Sequence, residues 1–543
     1  MKLLRHLARP AALLPVLAVG VWTSLACRLP ESIATRRALG EVTMLWAFPR
    51  WNEFTHEPAH PVPRLIELAL LHLPFSAVQY VAIANALVAA CIVVALASLV
   101  RRAFACPGAG QSLALAVGGL LVCTPAFGAD WLHGERVGVF LPPLLVLLGL
   151  LVLHGDRRTG WRGIAALLLA GLAPFCHGNG ILVFVALLPS LVDASRRAGG
   201  TRTVAWIAAA LLVGNVAAAV SLLPAGTIAL DGTGLVGRLF EAPLATLHGV
   251  AVATGAACLD PLPGTDLDAA LLGAAAWLSP LLMWRAGDRS DAARRAAAPW
   301  WGCLWFGLLV PAWLLERHGV CIADATLREL AFGAFLLPVG IAGVAAARFS
   351  SQVLPFAAGA LAILAIQDWQ HGIETLRVAA MRVRSAEAAV TWPDVHPAER
   401  PASVLPMPAA TWVELERRGW VPAQRTERAA PASLLAAEPA SRFGSCHGGD
   451  ARTIRGTVRS SLFGDAVQCV LVVAARTGAE AAVVGRTQPD YAGRGRDVPW
   501  LVALDAPLED GVRVRAIGLR PKAGAVALGP WFVVRGGALV IAP

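Results

Sequence analysis

Charge is what this sequence has least of. Asp, Glu, Lys and Arg together make up 15% of its 543 residues, against 57% hydrophobic residues, and the mean hydropathy is +0.62. A water-soluble chain of this length needs far more charge to cover its surface, so lipid must solvate most of it. The net charge of +10 comes almost entirely from arginines scattered between apolar blocks. That is the pattern of membrane topology and not of a phosphate-binding face, which argues against nucleic acid as a partner. No CxxC pair and no Cys/His zinc spacing occurs among the ten cysteines. Several of them, such as Cys91, Cys123 and Cys303, fall inside apolar runs as small core residues. No internal repeat is visible.

What the sequence does have is long apolar runs. Runs of roughly 17–22 residues cross a bilayer, and we read about eleven. They centre near Leu17, Val88, Val117, Leu147, Leu169, Ala186, Leu212, Ala275, Leu308, Val339 and Ala360. The first has the basic start and small residues of a secretory signal, but further spans follow, so it reads as an uncleaved helix. In the stretch 240–259, Glu241 and His248 predict a membrane-surface or re-entrant segment. With Lys2, Arg5 and Arg9 taken as cytoplasmic, alternate connections carry Arg101-Arg102, Arg157-Arg158-Arg162, Arg196-Arg197-Arg202, Arg285 to Arg295, and Arg348. Positive residues resist translocation, so this alternation sets orientation and parity. It predicts a polytopic helical bundle over residues 1–372, with the N-terminus cytoplasmic and the C-terminal region outside.

Past about Asp368, at the edge of the last apolar run, the composition changes. Residues 373–450 read as a connector: an amphipathic run (373–390), a Pro-rich stretch (393–408), and a short helical signal, ATWVELERRGW, with Gly419 as its stop. Over residues 451–543, about eight β-rich runs separated by turn residues predict a small antiparallel β-sandwich. The expected fold class is therefore mainly α, ending in an external α+β region. Cys446 and Cys469 are the cysteines of that region. In an oxidising compartment they are expected to form a disulfide if their strands are neighbours.

Sorted by side, the titratable groups gather outside. The first external loop, about residues 28–72, holds Glu31, Glu41, Glu53, His56, Glu57, His60, Arg64, Glu67 and His72. Further external turns are ADWLHGER (129–136), FCHGNG (175–180) and the segment 316–332. In a compact bundle these would converge on one outward-facing cleft. Within the first loop, His56-Glu57-Pro58-Ala59-His60 spells the H-E-x-x-H of a zinc protease. That site needs both histidines on one continuous helix. Pro58 lies between them and Pro61 and Pro63 follow, so the helix should begin near Pro61 and no metal site is expected. The other reading is acid/base work: a shielded glutamate as general base, with arginines gripping a phosphate. Such chemistry suits sugar transfer from a lipid-linked phosphosugar.

The arrangement resembles the GT-C class of integral membrane glycosyltransferases, and within it a group of polytopic bacterial proteins. The similarity rests on Asn52-Glu53, His56-Glu57 and Arg64-Leu65 in the first loop, on His177-Gly178-Asn179-Gly180, on the Pro-rich connector with ATWVELERRGW, and on GRTQPDY (485–491) before WLVALDAPLEDGVRVRA (500–516). The resemblance implies a bacterial inner membrane with the C-terminal α+β region periplasmic, a donor sugar on polyprenyl phosphate, and an envelope glycan or lipid as acceptor. Glu53 or Glu57, then Glu41, would be the base. His56 and Arg64 would position the lipid phosphate, and Arg136, His177, Asn179, Arg317, His318 and Arg328 would complete the cleft. No definite cofactor is implied, though a divalent metal, Mg or Mn, suits the chemistry. Glu41, Glu53 and Glu57 are dispersed, where the class usually has a close acidic pair, so the choice among them stays open.

Three other readings stand beside this one. A polar external loop is often a solvated connector, and Asn179 beside two glycines can be a helix cap. The chain could be a lipid-linked glycan transporter or a non-catalytic envelope assembly protein. The central spans, however, are almost free of ionisable residues, which favours surface chemistry over translocation. Tryptophans such as Trp300 and Trp301 read as interfacial anchors and packing residues.

Overall fold

The computed structural model describes residues 77–104, 116–125, 137–154, 160–197, 239–258, 266–318, 332–349, 353–391 and most of 434–542, with Trp131 and isolated positions within 15–18, 62–69 and 205–214. The chain divides into a helical unit, which takes in residues 80–373, and a second unit that includes 374–543.

The described helices are α1 (Ala77–Phe104), α2 (Val137–Leu153), α3 (Gly160–Leu172), α4 (Leu182–Arg197), α5 (Pro243–Cys258), α6 (Asp266–Ala286), α7 (Asp291–His318), α8 (Leu336–Arg348) and α9 (Val353–Thr391). Five segments are long and apolar enough to cross a membrane: Ile83–Phe104, Gly178–Arg196, Leu267–Ala286, Asp291–Leu315 and Val353–Gln370. They match the expected spans near Val88, Ala186, Ala275, Leu308 and Ala360. The spans expected near Leu147, Leu169 and Val339 are apolar helices of lesser length. Residues 116–122 are helical, and the regions around Leu17 and Leu212 lie mostly outside the described residues. Prolines sit inside α2, α4, α6 and α7, as membrane helices tolerate when neighbours re-satisfy the freed carbonyls.

Glycine sets how these helices pack. Between α5 and α6, a Cβ on Gly255 would collide with the Ala269 carbonyl, and one on Gly273 with that of Ala251. Between α7 and α8, Gly307 faces Leu337, Gly340 faces Leu304 and Gly343 faces Trp300. Both pairs are antiparallel hairpins with backbones in direct contact, the close approach that drives helix association where lipid is the solvent. The stretch expected at the membrane surface is thus α5, paired along α6. It hides its hydroxyls, since Thr246 and Thr254 bond back to Ala242 O and Val250 O. Outward, α6 shows Leu267, Leu271, Leu278, Leu281 and Leu282, and α9 shows Phe356, Ile363 and Ile366, an apolar exterior suited to lipid.

Arginines mark one end of the bundle. Arg102, in the last turn of α1, donates to Leu151 O at the C-terminal end of α2 at 2.9 Å. Arg348, which ends α8, is buried and donates to Gly287 O at 3.2 Å and Trp284 O at 3.4 Å, just past and within the end of α6. Guanidinium groups here satisfy the orphan carbonyls of helix C-termini. Trp300 belongs to the same end. It is buried and stacked on Phe104 with centroids 5.6 Å apart, a packing residue.

The second unit contains nine described strands in two antiparallel sheets: β1 (Gly444–Gly449), β2 (Thr453–Arg459), β3 (Cys469–Ala475), β4 (Ala482–Thr487), β5 (Asp497–Ala503), β6 (Arg513–Arg520), β7 (Gly524–Ala527), β8 (Phe532–Arg535) and β9 (Ala538–Ile541). One sheet runs β1-β2-β5. The other runs β4-β3-β6-β8-β9, with β7 also pairing β6. Their edges meet on both sides. Val502 of β5 lies against Gly485 of β4, and Asp450, just after β1, bridges to Ala538 of β9. Leu471, Val473, Ile517 and Leu519 form the core beside Leu434 and Cys469. Each of the eight β-rich runs contains a strand, and β1 begins before the expected boundary at residue 451. Cys446 on β1 and Cys469 on β3 belong to different sheets and are not bridged to each other. The expected disulfide lacks the neighbouring strands it requires.

Candidate functional site

The turn between α3 and α4 is built by glycine and proline. After α3 a 3-10 turn, Ala173–Phe175, carries Pro174 as its second residue, where a missing N–H costs nothing. His177 is then extended, and a second 3-10 turn, Gly178–Ile181, leads into α4. Gly180 N donates to His177 O at 2.8 Å, and a Cβ on Gly180 would strike the Ala173 carbonyl. Only glycine lets the chain fold back this tightly.

This turn holds an imidazole and an amide together. His177 Nδ1 lies 2.9 Å from Asn179 Oδ1 and 3.4 Å from Asn179 N. One ring nitrogen of a neutral histidine cannot both donate and accept. The shorter contact decides for Nδ1–H donating to the amide oxygen. Asn179 is fully buried, and its Nδ2 has no hydrogen-bond partner. A buried donor without a partner carries a desolvation cost that a ligand or water would relieve.

From this turn a continuous line of contacts crosses the bundle. At the start of α2, a Cβ on Gly138 would stand 2.6 Å from Cys176 O and 2.8 Å from Pro63 Cγ, so the turn, α2 and the helical residues at Pro63 within the first loop meet there. Phe140, in the first turn of α2, packs on Phe332 at 4.3 Å and on Trp131 at 4.9 Å, and Phe332 on Phe335 at 5.4 Å. Trp131 Nε1 donates to Thr124 O at 2.9 Å, and the Thr124 hydroxyl donates to the Asp368 carboxylate. Trp369 Nε1 adds a bond to Leu120 O at 2.8 Å. These groups lie on the side of the bundle opposite the arginines: α2 gives its other end to Arg102, α8, which follows Phe335, ends at Arg348, and Asp368 and Trp369 sit within α9 about four turns past its start. Beside Asp368 is a cavity of about 220 Å³ whose lining, among the described residues, is otherwise apolar, Thr124 apart.

The expected site residues distribute unevenly over this geometry. His177 and Asn179 are in direct contact. Arg317 and His318 close α7. Glu41, Glu53, His56, Glu57, Arg64, Arg136 and Arg328 lie outside the described residues. Val62 and Pro63 are helical, and the H-E-x-x-H residues before them, with the helix start expected near Pro61, lie outside the described residues. Among the described residues no three His, Cys, Asp or Glu side chains come together, so this part of the site offers no cage for a divalent metal. Asp368, Thr124 and Trp131 were not expected. The signal for Asp368 was available: it is the only acidic residue in the apolar run 353–370, and a carboxylate inside a span is a functional candidate by default.

No family model, no curated protein and no solved structure matches the chain.

Proposed function

We propose that the protein transfers a sugar from a polyprenyl-phosphate donor to an envelope glycan or lipid, at the bundle end opposite the arginines, which in this reading faces the periplasm. The observation that carries it is the run of contacts from His177 and Asn179 to Asp368. It gathers an imidazole, a buried amide donor and a carboxylate at one end of apolar helices, at the depth of a lipid headgroup. Glu53 or Glu57, then Glu41, delivers the base from the first loop. The two hydrogen-bonding groups of the HGNG turn orient donor phosphate or sugar hydroxyls. The two sheets form an external module in this reading, and further spans bring the total to about eleven.

The test is sugar transfer by the purified full-length protein given undecaprenyl-phosphate-linked sugars. Glu53→Gln and Glu57→Gln should lower the rate at least about a hundredfold if either is the general base, with insertion unchanged. If Gln at 41, 53 and 57 all leave transfer and surface glycans as in wild type, the reading fails.

Asp368 favours a second reading, translocation of a lipid-linked glycan, because transporters place carboxylates within spans. Under that reading proteoliposomes move a fluorescent lipid-linked sugar between leaflets, Asp368→Asn stops the movement, and no new glycosidic bond forms.

A further inference from the structure

We propose that an anionic phospholipid of the bilayer docks on the exposed face of α6, its phosphate at Arg285 and Arg289 and one acyl chain along Leu271, Leu278 and Leu282. Leu271, Leu278, Leu282 and Arg285 recur at steps of seven, four and three residues, so they share one side of the helix. All four are exposed, the leucines by 62%, 56% and 63%. In the span Leu267–Ala286, Arg285 is the next-to-last residue, at headgroup depth when α6 crosses a bilayer. Leu278 and Leu271 lie about 10 and 21 Å deeper along the helix axis, which covers the roughly 15 Å of one leaflet's hydrocarbon. Trp284, also exposed, stands beside Arg285 as aromatic anchors do at a membrane interface.

Unmatched charge singles out these two arginines. Residues 285–295 hold four arginines and two aspartates, and both aspartates already have partners within the turn. Asp288 accepts from Ser290 N at 2.9 Å and from the Ser290 hydroxyl at 2.8 Å, and Asp291 pairs with Arg294. Arg295 turns its Nε to Asp291 O at 3.1 Å, and Arg348 is buried on the carbonyls of Trp284 and Gly287. The Arg285 guanidinium, by contrast, has no ion pair or hydrogen bond to a described residue. Arg289 donates to Arg285 O at 3.4 Å, the long end of hydrogen bonding, and so reaches back to the last turn of α6. Two exposed guanidiniums at the end of an apolar stripe match a lipid with an anionic head. Its phosphate accepts from their forked donors, and its chain covers the leucines. A zwitterionic head brings its own cation against the pair and gains less. The face lies at the bundle end away from the proposed transfer chemistry and rests only on α6 meeting lipid, so binding and turnover can fail separately.

The experiment is native mass spectrometry of the full-length protein in detergent, titrated with dioleoyl-phosphatidylglycerol or dioleoyl-phosphatidylcholine. Wild type should bind the glycerol lipid about tenfold more tightly, a difference of about 1.4 kcal/mol. Arg285→Gln with Arg289→Gln should lower that preference to about twofold or less. Arg285→Lys with Arg289→Lys keeps the charge and should hold the preference within about threefold of wild type. Arg513→Gln with Arg535→Gln removes the same charge from exposed positions on β6 and β8 and should leave it unchanged. Equal binding of the two lipids by wild type, a preference that survives the first Gln pair, or an equal loss in the strand pair each overturns the proposal. A loss in the Lys pair as large as in the first Gln pair does so too, because charge would then not be what binds.

Discussion

Gly343 lies directly against the Trp300 indole: a Cβ there would stand only 2.5 Å from Cε3 and closer still to Cδ2 and Cγ. The ring cannot retreat, because its stack on Phe104 is tilted by only 14°. Contact between α7 and α8 at the arginine end therefore depends on a missing methyl. Gly343→Val should destabilise the protein by about 1–3 kcal/mol through overpacking. Gly359 on α9 has nothing within 4 Å of its would-be Cβ, so Gly359→Ala should be neutral or stabilising by up to about 1 kcal/mol. Denaturant titration in mild detergent compares the two. Equal losses would mean that propensity, not packing, governs these helices.

Asn179 separates a structural from a functional role. Its Nδ2 is buried without a partner, so deleting the amide removes a desolvated donor along with the His177 contact, and the two effects oppose each other. Asn179→Ala should change stability by no more than about 1 kcal/mol. If the amide meets substrate, transfer should fall about tenfold or more while the unfolding midpoint stays put. A large stability loss with a proportional activity loss would make it a cap and nothing else.

The long apolar runs were readable because span length and composition are local properties. The packing between them was not. Gly307, Gly340 and Gly343 acquire meaning only once Leu337, Leu304 and Trp300 are known to face them. Strand β1, GSCHGG, has no β-branched residue and is held by pairing with β2, so no propensity marks it. Cys446 and Cys469 lie in one unit but not in one sheet, and separation in space is what sequence spacing hides. At the site, the HGNG turn was legible from its glycines. Asp368 was read only as the edge of an apolar run, because its partner Thr124 lies 244 residues away.

Cys446 tests the sheets. Its Sγ is buried near Arg455 O at 3.8 Å, and burial pushes the thiol pKa up. The thiolate is the reactive form, so iodoacetamide at pH 8 should modify Cys446 about tenfold or more slowly in the native protein than in denaturant. After denaturation without reductant, both Cys446 and Cys469 should take the label. Labelling of neither until a reductant is added would mean that the two are joined after all.

Asp450 gives a pH dependence with a definite sign. Its Oδ1 accepts from Arg452 N at 2.8 Å and Thr453 N at 2.7 Å, closing the turn between β1 and β2. These hydrogen bonds, Arg452 first, hold its pKa below the ordinary 3.8, because they favour the charged form. A depressed carboxylate pKa stabilises the folded turn at pH above 3.8, and that contribution is lost as pH falls through the lower folded value. Hydrogen exchange of the Arg452 and Thr453 amides should therefore stay slow from neutral pH down to about 4 and lose protection below it. Asp450→Ala should remove the protection at every pH and with it this acid-side step. A turn that keeps slow exchange at these two amides in D450A would show that the strands, not the carboxylate, define it.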